Sequence, residues 1–282
     1  MKVFILTGLA LIAFAANSLL ARAALLNGEM SGLLFTVIRL VAGASALLIL
    51  LQLTRKDRPQ NGSGSWMGAS MLLLYAAMFS LAYLQLETGL GALCLFAAVQ
   101  LTIMVCSALS GQLHRLDIIG AAVALAGLVL LVWPNIGTPR IGGIILMGLS
   151  GLGWGLYTWL GRGKGDPLIL TYQNFTRASL LSLPLLVFVF LRPDVTPNGV
   201  ILAIISGAVT SGMGYAIWYA VLPKLNAMMS GISQLLVPPL AALMGWAVLG
   251  EVLSLRFWIA TAIILAGLML AQSRNWVKSL RG

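Results

Sequence analysis

The amino-acid sequence predicts an all-α integral membrane protein with ten transmembrane helices in two inverted five-helix repeats, and with both termini in the cytoplasm. Of its 282 residues, 60% are hydrophobic and 9% are charged, whereas a soluble domain carries roughly 25% charged residues. The apolar residues come in runs near the ~20 residues that a helix needs to cross a hydrocarbon core of ~30 Å. The third observation is an internal repeat, at a shift of about 140 residues.

The ten spans follow the apolar runs in order along the chain. They are predicted near 3–21, 33–54, 66–86, 90–110, 115–133, 140–160, 168–190, 198–222, 226–249 and 254–273. The first span also has features of a secretory signal peptide, since Lys2 precedes it and Ala21-Arg22-Ala23 resembles a cleavage site. The repeat favours a retained helix instead, because this span is the counterpart of a helix deep in the chain.

The basic residues indicate the orientation of the spans. Ten helices place both termini on one side, where the segments hold eleven lysines and arginines, against four in the opposite loops. Short cytoplasmic loops retain Lys and Arg, so we expect both termini in the cytoplasm and the chain in the cell inner membrane. The net charge of +10 then reflects topology, and nucleic acid is not an expected partner.

Two pairs of arginines are the strongest sign of the internal repeat. Glycine and alanine matches recur by chance in membrane helices, but two arginine matches at nearly the same shift do not: Arg22 aligns with Arg162, and Arg39 with Arg177. The predicted repeats are residues 1–134 and 135–282. Five helices per repeat is an odd number, so the second repeat enters the membrane from the opposite side. Inverted repeats are typical of secondary transporters, whose substrate site lies near the midplane.

Arg39 and Arg177 lie inside predicted helices, about seven and nine residues from their starts. A charge at that depth is expensive unless it faces a cavity or a partner. Each arginine therefore has two interpretations. It is either a gate element or a ligand for a substrate carboxylate, or it is a structural guanidinium that snorkels or braces neighbouring carbonyls.

Aromatic and amide side chains gather in helices 3, 4, 6, 8 and 9, and we expect them to line a central cavity. Phe79 and Tyr83 share a helix face at i, i+4, and so do Tyr215 and Tyr219. The alternative is that rings near helix ends are interfacial anchors. The expected substrate-binding residues are Phe79, Tyr83, Gln100, Trp154, Tyr157, Tyr215, Trp218, Tyr219 and Gln234.

Pro238 and Pro239 predict a break in helix 9. Two consecutive prolines remove two backbone donors and force a kink. Carbonyls freed at membrane depth are tolerated only beside protein or a water-filled cavity. Gln234, one turn earlier, is expected to face that cavity.

The carboxylates all fall in loops or at the ends of the predicted helices, and the single histidine, His114, falls in a loop. A proton-coupled pump usually needs an ionisable group buried along its pathway, so the sequence favours facilitated diffusion. The same pattern argues against an enzyme, and we expect no cofactor and no metal. The run Gly161–Gly165 lacks the Ser or Thr, and the preceding strand, that a phosphate loop needs.

Three features resemble one family. Gly250-Glu251 closes helix 9, Ala266-Gly267 lies in helix 10, and the aromatic run Gly214-Tyr215 to Trp218-Tyr219 lies in helix 8. In these the chain resembles the drug/metabolite transporter superfamily and, within it, EamA-type transporters of ten helices in two halves. It departs from them at Gln112, where family repeats often place Glu. The resemblance, which extends to the aromatic amino-acid exporter (YddG) branch, implies export of amino acids, other metabolites or toxic compounds.

These observations favour an exporter of neutral, aromatic and related amino acids that works by alternating access, with a small-molecule substrate and the lipid bilayer as its partners. An aromatic interior without carboxylates can stack apolar side chains and does not repel a substrate carboxylate. Efflux of drugs or of a nucleobase-like metabolite is the first alternative. The least favoured is a membrane scaffold or membrane-embedded enzyme, which would need intramembrane His, Asp or Glu.

Overall fold

The structure is a computed structural model that describes residues 2–26, 28–54, 64–110, 115–132, 141–161, 166–187, 195–221, 224 and 233–279. These residues are almost entirely helical. Within them, the β-structure consists of an isolated antiparallel bridge between Met30 and Val195.

The helices are numbered in their order along the chain. The first seven are α1 Lys2–Leu26, α2 Gly32–Thr54, α3 Trp66–Tyr83, α4 Thr88–Leu109, α5 Arg115–Val132, α6 Ile141–Gly161 and α7 Pro167–Ser182. Helix α8 runs through three segments, Pro197–Ile205, the π-helical Ser206–Met213 and Gly214–Val221. It is followed by α9 Val237–Leu249 and α10 Leu255–Ser279.

Six of these helices are long and apolar enough to cross a membrane: α1, α2, α3, α4, α6 and α8 as far as Trp218. Two shorter apolar helices are Val237–Leu249 and Leu255–Leu270. Large apolar side chains point outward along them, for example Leu53, which is 78% exposed, whereas alanines such as Ala15 are fully buried. A water-soluble protein would bury the large side chains first, so the chain is a multi-pass membrane protein.

The first six helices begin and end within five residues of the predicted spans. The predicted helix 7 is interrupted: α7 ends at Ser182, Pro184 lies in a 3₁₀ turn, Leu183–Leu185, and residues 186–187 are helical again. A proline removes a backbone donor and cannot continue the regular helix. The predicted continuous helix 8 is interrupted by the π-helical turns of Ser206–Met213.

Pro238 and Pro239 do not kink a long helix, as their sequence suggested; they lie in the first turn of α9, which begins at Val237. The chain is helical at residues 233–234 and then turns. The first backbone N–H groups of a helix have no partner within it, so proline is tolerated there without losing a hydrogen bond. The break therefore precedes the prolines, and residues 225–232 lie outside the described part.

Glycines let α6 approach both α3 and α4 closely. A Cβ atom on Gly153 would lie 2.7 Å from the backbone nitrogen of Tyr75, and one on Gly155 would lie 2.7 Å from the Cβ of Thr102. Neither distance leaves room for a side chain. Small residues at such contacts are the usual means by which membrane helices pack.

Helices α5 and α10 pack against each other through a pair of glycines. A Cβ on Gly127 would lie 2.8 Å from Cγ1 of Ile264, and one on Gly267 would lie 2.6 Å from the carbonyl oxygen of Gly120. Gly127 thus meets Ile264, whereas Gly120, earlier in α5, meets Gly267, later in α10. The two helices are therefore antiparallel.

Candidate functional site

The Arg39 side chain lies in the centre of the helices, with 2% of its surface exposed. Its Nη2 donates to the Tyr75 hydroxyl on α3 at 2.8 Å, and its Nε donates to the Ser211 hydroxyl on α8 at 3.1 Å. The guanidinium carbon lies 5.1 Å from the ring centre of Tyr75 and 4.7 Å from that of Phe79. Cation–π contacts of this kind gain strength in a desolvated site.

Asn17 of α1 holds a second part of the same polar network. Its Oδ1 accepts from the hydroxyls of Ser206 at 2.8 Å and Thr210 at 3.1 Å, and lies 3.4 Å from that of Ser211. Its Nδ2 is 3.5 Å from the Tyr75 hydroxyl. The three hydroxyls all come from the π-helical segment, and π-helical turns occur frequently at functional sites.

A chain of aromatic rings passes beside this network. Phe79 packs on Tyr83 at 4.7 Å between ring centres and on Tyr75 at 5.4 Å, and Tyr75 packs on Trp154 at 5.0 Å. Trp154 in turn contacts Tyr157 at 5.5 Å. These separations lie within the range of favourable aromatic pairs.

The chain of rings continues onto α8. Tyr215 lies 4.9 Å from Trp154, and Phe14 lies 5.8 Å from both Tyr215 and Trp218. Rings from α1, α3, α6 and α8 therefore form one continuous cluster.

A cavity opens between the rings and the polar network. Its aromatic lining consists of Phe14, Tyr75, Phe79, Phe96, Trp154 and Tyr215, and Leu95 adds an aliphatic surface. Its polar lining consists of Asn17, Ser18, Thr210 and Gln234. The cavity volume is about 30 Å³, enough for about two water molecules at roughly 10–15 Å³ each. A larger molecule requires the lining side chains to move.

The structure brings most of the predicted binding residues to this place. Phe79, Trp154, Tyr215 and Gln234 line the cavity. Three more do not line the cavity but pack on rings that do: Tyr83 on Phe79, Tyr157 on Trp154 and Trp218 on Phe14. Gln100, on α4, is half-buried and outside the lining, and the Tyr219 side chain lies outside the described residues.

Arg177 does not share the surroundings of Arg39. It is half-buried on α7, and its guanidinium carbon lies 5.7 Å from the ring centre of Trp66, at the start of α3. A Cβ on Gly64 would contact its Nη1. The two arginines align in the sequence, but only Arg39 belongs to the central network.

Four residues of the site were not predicted from the sequence: Asn17, Ser206, Thr210 and Ser211. A signal was present for Asn17, since an amide in the middle of an apolar span is uncommon and usually functional or paired. Serine and threonine give no such signal, because they commonly hydrogen-bond within their own helix, as Thr210 also does to the Ser206 carbonyl at 2.8 Å.

A second polar cluster closes one end of the helices. The Glu251 carboxylate accepts from the backbone nitrogen of Thr88 at 2.8 and 3.0 Å, and so caps the start of α4. It also pairs with Nε of Arg22 at 3.4 Å. Arg22 Nη1 donates to the carbonyl of Tyr83 at 2.8 Å, so α1, α3, α4 and the α9–α10 connection meet at this point.

Glu87 lies beside this cluster, immediately before α4. Partial burial, and then the negative charge of Glu251, raise the pKa of the Glu87 carboxyl above its ordinary value of 4.5, while Arg22 opposes the shift. Glu87 is thus more easily protonated than an isolated glutamate. It lies at the helix ends and not in the central cavity.

In the described part of the chain, no three residues of His, Cys, Asp and Glu lie together as metal ligands would. The cavity offers rings, hydroxyls and amides instead. Such a set can bind a small molecule by stacking and hydrogen bonding.

Comparisons with known proteins agree with this geometry. Residues 141–272 match the EamA-like transporter family. An uncharacterised protein of Pseudomonas aeruginosa is 46% identical over 270 residues, which cover 95% of this chain and 94% of that protein. The uncharacterised transporter YoaV of Bacillus subtilis is 22% identical over 84% of this chain and 86% of its own length. An uncharacterised transporter of Archaeoglobus fulgidus is 26% identical over 79% and 81%, respectively.

A protein of known crystal structure has the same fold, with a TM-score of 0.67 over 96% of both chains at 18% identity. Homologues described as transporters indicate a transporter rather than an enzyme. Residues 141–272 therefore belong to the EamA-like transporter family, and the chain is a multi-pass membrane transporter.

Proposed function

We propose that the protein exports neutral and aromatic amino acids across the inner membrane by alternating access. The observation that carries this proposal is the central cavity, whose rings lie beside a polar network of hydroxyls, an amide and a guanidinium. The rings suit an apolar side chain, and the polar groups suit the charged backbone end of an amino acid. Ligand sites usually combine an apolar wall with a few polar groups that fix orientation.

Two inverted repeats of five helices, residues 1–134 and 135–282, are part of the proposal. The antiparallel contact of α5 with α10 supports it, since equivalent helices of an inverted repeat run in opposite directions. So does an aromatic correspondence at a shift of 140 residues, in which the Phe14–Tyr215 pair has Trp154–Tyr75 as its counterpart. Ten spans with both termini in the cytoplasm then follow from the distribution of Lys and Arg.

Facilitated diffusion is the proposed energetic mode. The cavity lining contains no carboxylate and no histidine, so it has no group that would exchange a proton at neutral pH. Glu251 and Glu87 lie at the helix ends and do not line the cavity. Substrate concentration would then determine the direction of net transport.

Counterflow in proteoliposomes tests the proposal. We expect purified protein to exchange labelled phenylalanine or methionine, with threonine slower, and not to take up a cationic dye. Trp154→Leu, which removes a ring from the cavity wall, should slow exchange at least tenfold. Trp246→Leu is the matched control, because Trp246 is 59% exposed on the outer surface of α9. An imposed pH gradient should leave the rate unchanged.

Efflux of a drug or a nucleobase-like metabolite is the second candidate. The aromatic lining favours it, because planar rings stack on aromatic side chains whatever charge they carry. Uptake of the dye, together with failure to exchange any amino acid, would replace the leading proposal with this one. Acceleration by the pH gradient would overturn facilitated diffusion alone.

A further inference from the structure

We infer that the substrate must carry a carboxylate or a comparable anionic group, and that Arg39 binds this group during transport. The inference rests on the proposed function, because it assigns a chemical partner within the same cavity. It concerns a residue that the cavity lining does not include but that lies directly behind it.

The charge of Arg39 has no counter-ion among the described residues. The ion pair seen there joins Arg22 to Glu251, at the end of the helices. Arg39 contacts neutral hydroxyls and the faces of two rings instead. A fully buried cation is expensive at membrane depth, and such residues usually mark a substrate or ion pathway. An anionic substrate would supply the missing negative charge.

The donors of the guanidinium are only partly used. Nε donates to Ser211 and Nη2 donates to Tyr75, and the Tyr215 hydroxyl also lies close to the guanidinium. Nη1 makes no hydrogen bond of good geometry in the described part of the structure. Buried polar atoms without partners are uncommon in folded proteins. A carboxylate can accept two parallel bonds from one guanidinium, which a lone hydroxyl cannot do. Nη1 is thus the donor from which a substrate carboxylate would accept a hydrogen bond.

The geometry connects this donor to the cavity. Tyr75 and Phe79 line the cavity with their rings and also flank the guanidinium, at 5.1 and 4.7 Å. Asn17 and Thr210 line it as well, and both belong to the hydrogen-bonded network of Arg39 and Ser211. Because these two rings contact both the cavity and the guanidinium, movement of one of them is the step by which a substrate would reach Nη1. The carboxylate would then lie against Arg39, with the apolar side chain of the substrate on Trp154 and Tyr215.

A purely structural role is the competing explanation, in which Arg39 does no more than tie α2 to α3 and α8. The two roles differ in one measurable respect. A structural arginine affects all ligands of the cavity alike, whereas a binding arginine discriminates ligands by their charge. Ligand selectivity therefore separates them more sharply than loss of activity.

The test uses four ligands that share a phenylethyl skeleton and differ in their charged groups: phenylalanine, phenylalaninamide, phenethylamine and 3-phenylpropionate. They compete with labelled phenylalanine in counterflow by the purified full chain. We expect 3-phenylpropionate to compete within tenfold of phenylalanine, and the two ligands without a carboxylate to be at least tenfold weaker. Equal competition by phenethylamine would overturn the inference while leaving amino-acid transport intact. Absence of phenylalanine exchange, with uptake of a cationic dye, would instead reject the proposed function.

Asn17→Asp provides a matched variant. The Ser211 hydroxyl accepts from Nε of Arg39 and faces the amide oxygen of Asn17, so it bridges the two side chains. A carboxylate in place of this amide therefore supplies the missing charge without changing side-chain size. We expect the variant to unfold at the wild-type temperature or above and to lose its preference for carboxylate ligands at least tenfold. Retained preference in a folded variant would contradict the inference, and Arg39→Gln should show the same loss where it folds.

Discussion

Glu251 both caps a helix and forms an ion pair at one end of the helices. It caps α4 through the backbone nitrogen of Thr88 and neutralises Arg22, and both side chains are nearly buried, at 7% and 12% exposure. Glu251→Ala would leave a cationic side chain buried and unpaired, which costs about 3–5 kcal/mol. We expect a fall in the thermal unfolding temperature in detergent. Glu251→Gln should fall less, because a carbonyl oxygen still caps α4; an unchanged temperature for the alanine variant would contradict this account.

Removing the charge of Glu87 should stabilise the fold, in contrast to removing that of Glu251. Its pKa is raised above 4.5 by partial burial and by Glu251. A carboxyl whose pKa is higher in the folded chain stabilises the fold most below the unfolded pKa, and this contribution is lost as the pH rises through the folded pKa. Glu87→Gln should therefore be more stable than the wild type near pH 7, and the difference should vanish below pH 4.5. Thermal melts across this range test the sign; greater stability of the wild type at neutral pH would refute it.

The sequence could identify single residues only where their chemistry is unusual for a membrane helix. Arg39 was selected because a guanidinium is rare at that depth, and Trp154 and Tyr215 because rings gathered in a few helices. The partners of Arg39 were not predictable, since Tyr75 is 36 positions away and Ser211 is 172 positions away. Which hydroxyl faces inward depends on the rotation of each helix, and serine is tolerated on every face.

At the scale of elements, the contact of α2 with α8 depends on Gly207. A Cβ there would meet the carbonyl oxygen of Arg39 and lie 2.9 Å from the Cβ of Ala42. Gly207→Ala should push the helices apart and destabilise the protein by about 1–3 kcal/mol. Transport should fall as well, because Ser211 would move away from Arg39.

Gly148→Ala is the control for this prediction. A Cβ on Gly148 of α6 would have no atom within 4 Å, and alanine favours a helix over glycine by about 1 kcal/mol. We expect this variant to melt at the wild-type temperature or slightly above. Thermal unfolding of both purified variants is the measurement, and equal melting of the two would contradict the close-contact explanation.

Element positions were predictable to different degrees for physical reasons. Helices α1 to α6 follow from runs of apolar residues, because the hydrocarbon core imposes their length. The π-helical segment of α8 has no such signature, since its hydroxyls satisfy partners on α1 and α2 that only the folded protein brings close. Pro238 and Pro239 predicted a kink within a long helix, whereas they lie in the first turn of α9. The sequence could not separate the two, because proline suits the first turn of a helix as well as it disrupts the middle.

At the scale of the whole molecule, contacts close the helices at both ends. At the end that holds Glu29, the carboxylate of this residue accepts from Nδ2 of Asn198 at 2.7 Å. At the opposite end, the Ser65 backbone nitrogen donates to Oδ1 of Asn174 at 2.9 Å. Each contact joins residues of the first predicted repeat to residues of the second. Alternating access requires one set of contacts to open while the other stays closed.

A cross-link at the Glu29 end should therefore stop transport. Asn198 is exposed and Glu29 is half-buried. Glu29→Cys with Asn198→Cys can therefore be joined by a short, reducible bifunctional thiol reagent after the native Cys94 and Cys106 are replaced by alanine. Holding the two repeats together prevents the cavity from opening on that side. We expect counterflow to fall at least tenfold and to recover on reduction. Each single-cysteine variant, treated alike, should keep its rate. Full exchange by the cross-linked protein would mean that substrate leaves without separation of these contacts, and the proposed rocking of the repeats would be wrong.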